Sequence, residues 1–249
     1  MMPVIRIGPA AMQTASLALI VALWIGAYIA DREARRRTLR GDDAWTVITI
    51  FLFASVIAGR LIFFAQNIEA YSTDWTEVFS LSPNTLVLDL GALCGLVIAS
   101  LYIWWKRIPF ARFTDALAIG ALVALIIIAV GQFFSGDGYG TPTDIPWAIS
   151  FFEEMRHPTQ IYEVIVLAIG FVVVKRAIEP RTRDGVITWA VIAWYGGTHL
   201  FIDAFRGDVL LFANGYRLPQ VYGFIALMIG MLGLMRIMTN GERRTTEDR

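Results

Sequence analysis

The chain has little charge. Asp, Glu, Lys and Arg make up 17% of its 249 residues, where a soluble domain carries about 25%. Acidic and basic side chains number 21 each, so the net charge is zero and nothing in the balance points to nucleic acid or an acidic partner. There is one cysteine, Cys94, which excludes an intrachain disulfide and a cysteine-rich metal site. In the middle of an apolar stretch it reads as a small buried thiol. The two histidines do not form a helical HExxH pair, so they give no metal signature. No repeat, low-complexity tract or interdomain linker divides the chain.

What the chain has instead is apolar residues, 57% of the total. They fall in blocks near 11–30, 45–66, 86–105, 116–134, 160–174, 185–205 and 218–238. A helix needs roughly 20 such residues to cross about 30 Å of hydrocarbon. Backbone groups in lipid must be satisfied within their own segment, and continuous blocks do that as helices, not as the alternating strands of a barrel. The expectation is an all-α, polytopic membrane protein with about seven transmembrane helices. Residues 1–240 form a single transmembrane domain, and 241–249 a polar, frayed cytoplasmic tail.

Basic residues orient it. Five lie in 31–44, three in 106–115, four in 175–184 and four after Leu234. The opposite side has Arg6, Arg156, Arg206 and Arg217, and none in 67–85. This alternation places the amino terminus outside and the carboxyl terminus in the cytoplasm. The first block is not a cleaved signal peptide, because its basic run (Arg32, Arg35, Arg36, Arg37, Arg40) follows it.

Ionisable side chains at membrane depth cost about 2.5–3.5 kcal/mol each on insertion scales, so each needs a reason. Arg60 sits past the midpoint of the second block. It either snorkels to the outer head groups or offers its guanidinium fork to a lipid phosphate. A second group runs Arg156-His157-Pro158-Thr159-Gln160-Ile161-Tyr162-Glu163. Pro158 suits a first helical turn, and Gln160 and Glu163 share a face of it. His-Pro-Thr could cap this helix, but capping does not explain Gln160, Tyr162 and Glu163 together. A third group, His199, Asp203 and Arg206, has the i, i+4, i+7 spacing of one helical stripe. It is either a satisfied structural network or a site. The fourth, Gly131-Gln132-Phe133-Phe134-Ser135-Gly136-Asp137-Gly138-Tyr139-Gly140, has four glycines in ten residues. They permit positive φ and close backbone approach. All four groups fall on the side opposite the basic loops, as a polar cavity open to lipid head groups would require.

These residues resemble the prolipoprotein diacylglyceryl transferase family. The resemblance covers most of the chain: Ile-Arg-Ile-Gly-Pro before the first helix, the Arg-Glu-Ala-Arg-Arg-Arg run after it, Ala-Gly-Arg-Leu at 58–61 and the Gly-rich stretch at 131–140. The strongest element is His-Pro-Thr-Gln-Ile-Tyr-Glu at 157–163. The resemblance implies transfer of a diacylglyceryl group from phosphatidylglycerol to a lipobox cysteine thiol in a prolipoprotein signal peptide, releasing glycerol phosphate. That reaction runs at the outer face of a bacterial plasma (inner) membrane, without a cofactor, with membrane lipids around it. The implied catalytic residues are His199, Asp203 and His157. The implied lipid-binding residues are Arg60, Gln132, Asp137, Gly140, Gln160, Tyr162, Glu163 and Arg206.

The chain also departs from the family pattern. Leu90-Gly91-Ala92 stands where the family has His-Gly-Gly. Ala129 stands for a phospholipid-binding Arg, Gln132 for an Asn, and Ala15 lies near an expected Tyr. His199 takes the place of a catalytic-region Arg, and Asp137 that of a Glu. An altered or inactive phospholipid-binding member is therefore the alternative, and a small transporter a further one without repeat symmetry to support it.

Overall fold

A computed structural model describes residues 4–7, 10–68, 87–177, 182–209, 211 and 215–247. Among these are seven helices: α1 (Thr14–Arg36), α2 (Gly41–Gln66), α3 (Leu88–Trp105), α4 (Phe110–Ser135), α5 (Thr159–Ala177), α6 (Val186–Ile202) and α7 (Leu218–Glu247). Two small antiparallel hairpins accompany them, β1 (Val4–Ile7) with β2 (Ala10–Gln13), and β3 (Ile149–Phe151) with β4 (Glu154–Arg156). The protein is mostly helical. Helices α1, α2, α4 and α7 are long and apolar enough to cross a membrane, and α3 and α6 are shorter apolar helices. Their outward faces carry Trp24, Phe53, Leu61, Trp104 and Phe201, all well exposed, as lipid contact demands and water does not.

The helix ends differ from the sequence expectation where local chemistry intervenes. Residues 11–13 pair with β1 instead of opening the first helix. That helix continues past its apolar block to Arg36, where Arg35 and Arg36 complement the carboxyl-terminal dipole. Helix α4 starts six residues early, after Pro109, and stops where Gly136 turns left-handed at φ 88°. The end of the chain, expected to fray after Asn240, stays helical to Glu247. The loop 67–85, read as free of basic residues, lies almost wholly outside the described residues.

Helix α6 stops at Ile202, three residues short of the expected 205. Beyond the stop, Arg217 Nη1 donates to the carbonyls of Asp203 and Arg206. Arg206 thus lies beyond the helix and not on a continuous stripe.

Small residues set the spacing between helices. A Cβ on Gly120 of α4 would lie 2.9 Å from the Ala30 Cβ of α1, and one on Gly196 of α6 would lie 2.6 Å from the Gly223 carbonyl of α7. Close backbone approach of this kind drives association where no hydrophobic force acts between helices. Helix α2 packs chiefly on α3 and more lightly on α1; α4 joins α1 to α5 and α6; α7 packs chiefly on α6. Gly120→Val is expected to force α1 from α4 at a cost of about 1–3 kcal/mol, read as a lower Tm in detergent micelles.

At the basic end of the bundle, charges are paired. Glu33 accepts from Lys175 at 2.6 Å and Arg36 at 2.9 Å. Asp115, fully buried on α4, accepts from the backbone N–H groups of Gly185 and Thr188, both at 2.8 Å, and from the Thr188 hydroxyl at 2.7 Å. A side chain of one helix thus caps the amino terminus of another. The far end of the bundle is where α4, α5, α6 and α7 present the remaining polar groups.

Candidate active site

The Gly-rich turn after α4 is the frame. Gly136 and Gly138 have positive φ, 88° and 69°, as the sequence requires of residues without a Cβ. The turn is tied on three sides. The Gly138 N–H donates to Asp208 at 2.8 Å. The Thr159 hydroxyl donates to the Gly138 carbonyl at 2.5 Å, and Gln160 Nε2 to the Asp137 carbonyl at 2.8 Å. Asp137 itself accepts from Ser135 at 2.7 Å. Thr159 and Gln160 therefore anchor the turn rather than cap their own helix. Gly140 bridges to Arg206, and a Cβ there would collide with the His157 carbonyl.

Against this frame stands His199, near the end of α6. Its Nδ1 is 2.9 Å from Asp203 Oδ2, and its Nε2 is 3.9 Å from Glu163 Oε1 of α5. The Asp203 contact engages Nδ1 and leaves Nε2 turned toward Glu163. The Tyr195 ring, one turn back, lies 4.3 Å from the imidazole. Arg206 Nη1 is 3.7 Å from Asp203 Oδ1, while its Nε donates to Asp208 at 3.1 Å. Burial disfavours the charge on Arg206, but the hydrogen bond and charge of Asp208, with Asp203 and Glu163, outweigh it and raise its pKa above the ordinary value. Arg206 is a fixed cation.

A cavity of about 480 Å³ opens here between the ends of α6 and α7. Its lining includes Tyr195, His199, Asp203, Arg206, Asp208 and Tyr222. Both polar side chains and the apolar stretch Leu218, Pro219 and Ala226 face it, a mixed surface suited to an amphipathic ligand.

The structure thus gathers His199, Asp203, Arg206 and Glu163, and joins them through the turn to Gln132, Asp137, Gly140 and Gln160. His157 and Tyr162 form a neighbouring rim. The His157 ring rests on Phe205 at 5.1 Å, its Nδ1 lies 3.5 Å from the Tyr162 hydroxyl, and Trp147 Nε1 donates to that hydroxyl at 2.7 Å. His157 is not on the cavity lining. Arg60 is half-buried on α2, whose partners are α3 and α1, and it too is off the lining. Sequence reasoning missed Tyr195, Asp208 and Arg217. Tyr195 was detectable as the i−4 neighbour of His199; Asp208 and Arg217 act only through the chain reversal after α6. Of the family departures, Ala129 is fully buried, Leu90 is exposed and Ala15 is half-buried.

Fold and site together define a helical membrane protein with a buried His–carboxylate–Arg cluster at one end of its bundle. The family model described as prolipoprotein diacylglyceryl transferase matches residues 3–236. The chain belongs to that family. It is similar to proteins named phosphatidylglycerol–prolipoprotein diacylglyceryl transferase from three bacteria. Identity to the Streptococcus uberis protein is 25% over 238 residues, covering 92% of each chain. For Clostridioides difficile it is 25% over 224 residues, 90% of each. For Geobacter sulfurreducens it is 28% over 237 residues, 91% of each.

Proposed function

We propose that the protein transfers a diacylglyceryl group from phosphatidylglycerol to a cysteine thiol of a prolipoprotein lipobox. It does so at the outer face of a bacterial plasma membrane that it crosses seven times, amino terminus outside. The observation that carries the reading is His199 held by Asp203 on the lining of a cavity of about 480 Å³, with Arg206 beside it. His199 Nε2 takes the thiol proton. The thiolate sulfur bonds to the terminal glyceryl carbon as the carbon–oxygen bond to phosphate breaks. Glycerol phosphate leaves with that electron pair, its charge met by Arg206. Glu163 faces the imidazolium and stabilises it.

A second reading has one observation behind it. Ala129, fully buried, stands where the family has a phospholipid-binding Arg. A member that binds phospholipid without turning it over would look like this. Expression in a bacterium depleted of its own transferase separates the two. A diacylglyceryl group on a reporter preprotein is the expected result. Bound phosphatidylglycerol with no lipidated reporter would establish the second reading instead.

A further inference from the structure

The cavity does not end at its polar groups. Its lining takes Tyr195 and His199 from α6, and Leu218, Tyr222 and Ala226 from α7. On α6, Ile192, Tyr195 and His199 follow one another at steps of three and four residues, so they form one line along the helix, and all three are half-buried. On α7, Tyr222, Ile225, Ile229 and Leu232 repeat at the same steps and are well exposed. Gly223 and Gly230 mark the side of α7 that meets α6: a Cβ on the first would lie 2.8 Å from Leu200 N, and one on the second 2.5 Å from Ala193 N. The line from Tyr222 to Leu232 runs beside that contact and not through it. The α6 line is thus the floor, and the α7 line the wall, of a groove that starts at the cavity and continues along the apolar length of both helices.

Three features fit this groove to a helix. Steps of three and four residues are the heptad spacing that seats a second helix alongside. Ala226, at the cavity end, is small and permits the close approach on which helix association in lipid depends. The groove also has two bounds. The residue that continues the α7 line is Arg236, which is exposed, and a guanidinium on the lipid side of a helix belongs at the head groups. From Tyr222 to Arg236 the rise is about 21 Å. The apolar segment of a signal peptide has about 7–15 residues, or about 10–22 Å as a helix. We propose that this groove holds the apolar helix of the acceptor's signal peptide, antiparallel to α7, so that the cysteine following that helix arrives at His199. This rests on the function proposed above and names the surface by which the acceptor enters. Beyond Tyr222 the wall is Ile225, Ile229 and Leu232, so it selects length and hydropathy rather than sequence.

The test uses the full chain in phosphatidylglycerol nanodiscs, with its single cysteine removed by Cys94→Ser. The probe is a synthetic prolipoprotein signal peptide with serine at the lipobox position and one cysteine in its apolar segment. With Ile225→Cys or Ile229→Cys in the chain and copper phenanthroline as oxidant, a disulfide to the peptide is expected. Moving the peptide cysteine four residues further from the lipobox should shift the preferred partner from Ile225→Cys to Ile229→Cys, as antiparallel helices of equal rise require. Met231→Cys, exposed on the other flank of α7, should stay unlinked. Ile229→Trp is expected to weaken peptide binding about tenfold by overfilling the groove, with phosphatidylglycerol binding unchanged. No disulfide at either position, the same partner from both peptide positions, equal linkage at Met231→Cys, or disulfides between two copies of the chain in place of the peptide would overturn the proposal. A linkage that follows the register, without transfer to a peptide that keeps its lipobox cysteine, would leave the groove standing and remove the transferase reading. Transfer to that peptide with no linkage in the groove would do the reverse.

Discussion

His199→Ala is expected to lower the rate of thiol transfer by about 10²–10⁴-fold, the usual range for a positioned general base. The reason lies in how the imidazole is held. Asp203 engages Nδ1 at 2.9 Å and leaves Nε2 turned toward Glu163. Alanine removes the base and leaves Asp203 and Glu163 with no imidazole beside them. Lipid binding should survive, because Arg206 keeps its hydrogen bonds to Asp208. The measurement is the initial rate of diacylglyceryl transfer to a fluorescent lipobox peptide from phosphatidylglycerol vesicles, with lipid binding followed in parallel. Asp203→Asn should share most of the loss, since its amide can present a donor to Nδ1 and stabilise the wrong tautomer. A His199→Ala enzyme that keeps the wild-type rate would assign proton transfer to another group.

Asp115→Ala is expected to produce the largest loss of stability, about 3–5 kcal/mol, the range for breaking a buried charged network by removing one partner. Asp115 is the acceptor for three donors at the start of α6, and Arg37 Nη1 stands 3.6 Å away. Without it, two backbone N–H groups, one hydroxyl and a largely buried guanidinium lose their counterpart together. Asp115→Asn should cost less, because one oxygen can still accept from part of the set. Unfolding in mixed micelles, followed by helical circular dichroism, measures both. The expected contrast with His199→Ala is clean: folded Asp115→Ala molecules should keep their transfer rate, since Asp115 sits at the opposite end of the bundle from the cavity.

The apolar blocks made the helices legible because lipid imposes one rule on every segment, and each of the seven blocks had its start or its end within three residues of the observed helix. What remained hidden came from contacts between segments. Nothing in the local sequence around 203 says that Arg217, eleven residues past Arg206, will take carbonyls that follow α6. Nothing around 10–13 says that these apolar residues will pair with 4–7. The site was half legible. His199 and Asp203 have helical spacing and did meet; Gln160 and Glu163 share a helical face and are both buried. Arg60 and His157 were grouped with them by depth alone, and depth does not fix which side of a helix or which neighbour a residue has. Arg206 reached Asp203, but by a chain reversal and not by the stripe that suggested it.

Helices α2 and α3 differ in length, 26 residues against 18, and pack mainly on each other. The His199 cluster is built by α4 to α7 and owes them nothing directly. The pair is nonetheless keyed to the rest of the bundle, because Ala44, Val47, Ala99 and Ile103 share one core with Ala30 of α1 and Phe113 of α4. A bilayer that thickens or thins around the unequal pair therefore strains it against α1 and α4.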